Sequence, residues 1–270
     1  MNRRSAESLI MGVVNITPDS FSDGGDFLDP GRAVARIEQL FDEGADIVDL
    51  GAESSRPGAQ AVDLEEEWRR LKPILERLSQ IPLPTRAWIS LDTYKADVMV
   101  RALDYRVQII NDIKGEADAK TLQLIANKGL TYLAMHMHRD PQAMQITPLD
   151  GPEALRAVDA FYRQTHARLK SFGFCDERIW LDPGIGFGKT DRANLWLFKQ
   201  ALQLVPHYEI VLGISRKSFM GRILEIDDPR DRDPASKMLE LSGLFAGVRA
   251  IRTHDVRRLK KLLNLLQDCP

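Results

Sequence analysis

The sequence predicts an α/β protein folded as a single (β/α)8 barrel of the TIM type, one domain over residues 1–270. Three observations predict it. Short β-branched or apolar runs alternate with longer amphipathic stretches from end to end, the pattern of repeated βα units around a parallel sheet. Nearly every apolar run ends in a polar residue, and the C-terminal edge of the strands is where barrel enzymes place their chemistry. A chain of 270 residues, 44% of them hydrophobic, also falls in the size range of one such barrel.

The elements follow in order. A first strand ends near Asn15, and Pro30-Gly31 precede a helix at Arg32–Asp42. A second strand ends near Gly51; Asp63 with Glu66 three residues on forms a capping-box-like start for Leu64–Leu78. Strands ending near Asp92 and Asp112 lead to helices at Lys95–Leu103 and Ala119–Lys128. Strands ending near His136 and Asp182 lead to Pro152–Ser171 and Ala193–Leu204. The last two end near Gly213 and Thr253 and precede Pro234–Phe245 and Val256–Leu266. Val256, Leu259, Leu262, Leu263 and Leu266 recur at helical spacing and are read mainly as a core stripe. No linker, low-complexity tract or close repeat marks a domain boundary.

Composition excludes several classes of function. With 37 Lys+Arg against 39 Asp+Glu, no global field favours nucleic acid or an anionic membrane, so any anion site must be built locally. Cys175 and Cys269 lie apart without a CxxC or a His cluster, which reads as reduced thiols. The short polar start, Met1 to Ser8, carries no export signal, and no apolar run reaches spanning length; the expected location is cytoplasmic.

The strand ends carry the chemistry. Asn15 offers an amide oxygen suited to Mg²⁺, a cation held by few protein ligands and by substrate phosphates. The long loop that follows, through Phe21 to Gly24-Gly25, has the composition to close over a ligand. Arg56, beside Pro57-Gly58, either pairs with a carboxylate such as Asp19 or meets an anionic substrate. Asp92, Asn111-Asp112 and Asp182 form a hydrogen-bonding set suited to a flat nitrogen-rich heterocycle, because a carboxylate accepts two parallel N–H bonds.

Asp182 to Lys189 lacks phosphate-loop spacing; close backbone approach to a planar ring, with Phe187 alongside, fits better. Ser215-Arg216-Lys217-Ser218 and Arg252-Thr253-His254 follow strands seven and eight, the usual anion site of this barrel. His136-Met137-His138 lacks a third ligand at zinc spacing.

Together the segments Asn15–Gly25, Glu53–Gly58, Ile89–Asp92, Asn111-Asp112, Asp182–Lys189, Ser215–Ser218 and Arg252–Asp255 resemble the dihydropteroate synthase family, in the same order over nearly the whole chain. The resemblance implies condensation of 6-hydroxymethyl-7,8-dihydropterin pyrophosphate with 4-aminobenzoate in folate biosynthesis. It implies that Asp92, Asn111, Asp182 and Lys217 hold the pterin ring, with Phe187 beside it. Asn15, Arg252 and His254 would manage pyrophosphate with Mg²⁺, and Phe21, Ser55, Arg56, Pro57 and Ser215 would shape the aminobenzoate site. Asp92, Lys217, Arg252 and His254 would act in an SN1-like substitution in which pyrophosphate departs before the aniline attacks.

A homodimer built on the last helices is implied as well. The two long loops give a further expectation: if they complete the aminobenzoate pocket only on closing, pterin pyrophosphate and Mg²⁺ bind first, and a sulfonamide competes with aminobenzoate more tightly when both are present. Ser55 stands where the family usually has Thr, Ala52 where Gly is common, and His138-Arg139 where Gln-Gly is usual; none removes a polar group the chemistry needs. A non-catalytic pterin-binding paralogue and a pterin-dependent methyltransferase are the competing readings, separated by pyrophosphate release that depends on both substrates.

Overall fold

A computed structural model describes residues 8–17, 29–54, 60–139, 143–144 and 146–267. The first half of the barrel runs β1 (Leu9–Asn15), α1 (Pro30–Asp42), β2 (Ile47–Gly51), α2 (Leu64–Gln80), β3 (Trp88–Asp92), α3 (Ala96–Ala102), β4 (Ile109–Asp112) and α4 (Ala119–Asn127). The second half runs β5 (Thr131–Met135), α5 (Gly151–Ser171), β6 (Ile179–Asp182), α6 (Asp191–Leu204), β7 (Glu209–Gly213), α7 (Ser218–Leu224), α8 (Asp233–Phe245), β8 (Ala250–Thr253) and α9 (Val256–Gln267). The strands close in sequence order, every pair parallel, with β8 returning to β1. β5 stops at Met135, one residue before the predicted His136.

Local chemistry starts the helices where the sequence places them. The Asp63 carboxylate accepts from the Glu66 N–H at 2.9 Å and Asp118 caps α4 through the Thr121 N–H at 3.0 Å, each satisfying a donor that the first turn leaves open. α7, seven residues inserted between β7 and α8, is not predicted from the sequence, nor is a single 3-10 turn at Asp176–Arg178 before β6. Along α9, Val256 and Leu259 are buried and Leu262 and Leu263 half-buried, but Leu266 is exposed, so the predicted core stripe stops a turn short of the helix end.

Side chains alternate across each strand, so residues two apart share a face. The outward set, including Val48, Leu50, Leu91, Ile110, Ala134, Leu181, Leu212 and Ile251, packs under the helices in one large core. Each fully buried Leu or Ile there contributes roughly 1.5–3 kcal/mol. The inward set splits by height. At the lower end Met11, Ile47, Ile109, Leu133, Trp180, Val211 and Ala250 form an apolar plug, with Trp88 stacked on Trp180 at 5.9 Å. Further along the same face, toward the strand C-termini, the inward positions become Asn15, Asp49, Gly51, Asp92, Asn111, Met135, Asp182, Gly213 and Arg252. The interior therefore changes from a dry packed core to a charged floor within two residues of each strand.

Candidate active site at the barrel mouth

Arg252 organises the floor. Its guanidinium reaches from β8 to Asp49 on β2 at 3.3 Å and to Asp182 on β6 at 3.5 Å, crossing the barrel between two carboxylates. Gly213 makes the room for it, because a Cβ there would stand 3.0 Å from Nη2. Burial opposes the Arg252 charge, but Asp182, Asp49 and Asp92 outweigh it and hold its pKa above the ordinary value.

The carboxylates are strained in the opposite sense. Burial, reinforced by the Asp49 charge and opposed by Arg252, pushes Asp92 well up, although part of its side chain still faces the open mouth. Burial also raises Asp182, against the pull of Arg252 and of the Gly184 N–H, which donates to Oδ1 at 2.7 Å. Lys217, above the Phe187 ring at 4.1 Å, is driven down to about 7 by burial and by the neighbouring Arg252. Perturbed groups of both signs facing one cavity are what a site that binds a polar heterocycle and moves charge requires.

Asn111 is oriented by its neighbour. Its amide nitrogen donates to Asp49 Oδ2 at 2.9 Å, which leaves the amide oxygen as the acceptor turned away from Asp49. Asp49 and its register partner Ser90 each keep one buried oxygen without a hydrogen-bond partner among the described residues. Asp49 is missing from the sequence-based set, yet its signal is present: it is a carboxylate in the apolar run Ile47–Gly51, two residues before the strand end and so on the same face as Gly51.

The opposite parity removes Asp112 from the predicted heterocycle set. It points away from the cavity, accepts from the Lys114, Glu116 and Ala117 N–H groups at 2.9, 3.0 and 3.1 Å, and takes the Tyr132 hydroxyl at 2.5 Å. Its role is to fold the β4–α4 turn.

The loop after β6 places backbone close to the cavity. Gly184, Gly186 and Gly188 all have positive φ, and a Cβ on Gly184 would lie 1.9 Å from the His136 carbonyl oxygen. Lys189 is tied down inside the protein, donating to the carbonyls of His136 at 2.9 Å and Gly184 at 2.8 Å, so it shapes the loop and holds no anion. Asn194 on α6 accepts the Gly186 N–H at 2.7 Å.

Phe187 packs with Ile113, Met135 and Met144 into an apolar wall. His136 is held down to about 3 by burial and by Lys189 and His138, and no cluster of metal-binding side chains occurs among the described residues. Arg139 occupies the left-handed region at φ 64°, a conformation that favours glycine and costs other residues about 1–2 kcal/mol.

After β7 and β8 the predicted cations separate. Arg216 is engaged by Asp233 of α8 through two bonds of 2.7 and 2.8 Å, and its backbone N–H donates to Ser236 Oγ, so it fastens the loop instead of facing the cavity. Buried Ser215 accepts the backbone N–H of exposed His254 at 3.3 Å, joining the two loop starts. Asn15 stands half-buried at the end of β1, beside Gly51 in register. Phe21, Ser55, Arg56, Pro57 and Gly58 lie outside the described residues.

The profile of the pterin binding enzyme family matches residues 11–254. The chain is 38% identical to a dihydropteroate synthase of Neisseria meningitidis serogroup C over 92% of its own length and 88% of that protein. It spans about half of the plant relatives it matches: a mitochondrial folate synthesis bifunctional protein of Pisum sativum is 36% identical, with 52% of that protein covered. Among solved structures, a Yersinia pestis dihydropteroate synthase in complex with a sulfonamide drug superposes with a TM-score of 0.87 at 31% identity, covering 98% of this chain and 94% of that one. A Xanthomonas albilineans dihydropteroate synthase with 4-aminobenzoic acid gives 0.87 at 33% identity, covering 98% and 95%.

Proposed function

Because the chain belongs to the pterin binding enzyme family, we propose that it is a transferase that condenses 6-hydroxymethyl-7,8-dihydropterin pyrophosphate with 4-aminobenzoate, giving 7,8-dihydropteroate and pyrophosphate in folate biosynthesis. The observation that carries the reading is the convergence of Asp92, Asn111, Asp182, Lys217 and Arg252 on one charged floor above an apolar plug. Asp182 accepts two parallel N–H bonds from the amino-pyrimidine edge of the pterin, and the Asn111 oxygen accepts a third. Phe187 with Lys217 above it forms one wall of the slot, where a flat ring is excluded from water.

As the bond between the methylene carbon and pyrophosphate lengthens, positive charge grows on the pterin and negative charge on the leaving group. Asp92 opposes the first, while Arg252, Lys217 and His254 oppose the second, with little reorganisation at Arg252, whose guanidinium is already held between Asp49 and Asp182. The aniline nitrogen then attacks the carbon with its lone pair, and the resulting anilinium gives up one of its two protons to water. The amide oxygen of Asn15 suits a hard cation that takes few protein ligands; together with pyrophosphate oxygens it would hold Mg²⁺, which when bound neutralises leaving-group charge.

The aminobenzoate end is assigned to Phe21, Ser55, Arg56, Pro57 and Ser215, and the sulfonamide and 4-aminobenzoic acid in the Yersinia and Xanthomonas complexes support a second substrate of that kind. Exposed Met238 and Phe245 on α8 and Leu265 and Leu266 on α9 support a homodimer. No helix among the described residues is long and apolar enough to cross a membrane, and the proposed location is the cytoplasm.

Mass-spectrometric detection of dihydropteroate, with pyrophosphate release requiring both substrates, is the expected result. Pterin binding without product would instead mark a non-catalytic paralogue.

A further inference from the structure

The second βα loop carries Ser55-Arg56-Pro57, and its stem is fixed by contacts that the reaction itself does not use. Ala52 and Glu53 follow the last residue of β2. The Ala52 carbonyl accepts from Arg70 of α2 at 2.9 Å, and the Gly51 carbonyl accepts the Ile16 N–H at 2.7 Å. Glu53 is held by the two residues that follow β3 by one turn: the Tyr94 hydroxyl donates to Oε1 at 2.9 Å, and the Lys95 ammonium bonds Oε2. Lys95 also bonds Glu67 of α2 at 2.5 Å, and the other Glu67 oxygen is buried without a hydrogen-bond partner among the described residues.

One ammonium thus compensates two largely buried carboxylates on different elements, and a buried charge left without its partner is costly. The same turn is locked to the floor of the cavity. Thr93 follows Asp92, its N–H donates to the Asn111 carbonyl at 3.1 Å, and its hydroxyl accepts the Lys95 N–H at 3.2 Å. Tyr94 packs on the apolar wall that contains Phe187, with the ammonium groups of Lys95 and Lys114 at 4.5 and 4.3 Å from its ring centroid.

We propose that Tyr94 and Lys95 are positioning residues that register the stem of the second loop, through Glu53, to the pterin floor, and so set affinity for the aminobenzoate-like substrate. They touch neither reacting group in this account. They act by holding Glu53 relative to Asp92, so that the pterin floor and the stem of the second loop are joined through one set of hydrogen bonds. The inference rests on the functional reading above for its substrate, and on the hydrogen-bond geometry alone for the clamp.

The test uses the full chain with Tyr94→Phe, which keeps the ring and removes only the bond to Glu53, and with Lys95→Met. With saturating pterin pyrophosphate and Mg²⁺, KM for 4-aminobenzoate rises about fivefold in Tyr94→Phe, the loss expected for one hydrogen bond. It rises about tenfold or more in Lys95→Met, where two buried carboxylates lose their cation. KM for pterin pyrophosphate stays within about twofold in Tyr94→Phe, a split that general destabilisation does not produce. Amide hydrogen exchange of the peptide carrying Ala52, Glu53 and Ser54 increases in both variants, with other strand peptides unchanged.

Equal rises in both KM values, or an unchanged aminobenzoate KM in Tyr94→Phe, overturn the proposal; if Lys95→Met does not fold, Tyr94→Phe decides. The exchange arm needs no turnover. A wild-type chain that makes no dihydropteroate sinks the functional reading, and exchange then decides the clamp alone: faster exchange at the stem supports it and unchanged exchange refutes it.

Discussion

Asp182 sits where three influences meet: burial that favours its neutral form, the Arg252 guanidinium, and the Gly184 N–H. Asp182→Asn keeps the volume and removes the charge that pairs with both Arg252 and a pterin edge. It should lower kcat/KM for the pterin substrate by roughly 2–4 kcal/mol in transition-state terms; steady-state rates near those of the wild type would reject the role. Lys217 gives a pH signature. Its pKa in the folded chain is brought down from 10.5 to about 7, so the ammonium is complete well below neutrality and disappears as pH rises through that value. If the cation serves the leaving group, kcat/KM falls on the alkaline side of pH 7, and Lys217→Arg, which stays charged, removes that limb. A wild-type limb that survives unchanged in the Arg variant assigns it to another group. Asp92, Asn111, Asp182 and Arg252 were legible in the sequence because each lies in the last residues of an apolar run. Asp49 is not legible from the strand ends because it lies two residues before one, and Asp112 leaves the set because adjacent residues of a strand face opposite sides.

At the scale of elements, the β6–α6 loop shows why glycine stands at Gly184. Its φ is 65° and a side chain would collide with the His136 carbonyl at 1.9 Å, so Gly184→Ala must move either the loop or the end of β5. That change should cost at least about 2 kcal/mol in urea unfolding, and also weaken pterin binding, because the Gly184 N–H then leaves Asp182. Unaltered stability and affinity would show that the loop relaxes without consequence. The main helices were readable from periodicity and capping residues, as at Asp63. α7 was not: seven residues with Gly221 near their middle carry too little period to register, and the helix ends on Glu225 in the left-handed region at φ 57°. Arg216 reads in the sequence as one of the cations of the anion site after strand seven. Its partner, Asp233, lies on the next helix, a tertiary contact that local spacing does not encode.

Across the whole molecule, one alternation rule divides labour. Outward strand residues hold the helices, lower inward residues fill the barrel, and the upper inward residues form a charged floor. The fold class followed from the order of runs alone, whereas the pairing of Asp49 on β2 with Arg252 on β8 depends on closure of the sheet, which brings residues 203 positions apart into contact. The proposed pterin site is this floor, built from Asp92, Asn111, Asp182, Lys217 and Arg252. Calorimetric titration of 6-hydroxymethylpterin into the wild-type chain, Asp182→Asn and Asn111→Ala tests it without requiring turnover. One site per chain is expected in the wild type, with a loss of about tenfold or more in affinity in each variant and the fold intact by circular dichroism; equal affinity in all three proteins would place the pterin elsewhere and contradict a site on this floor.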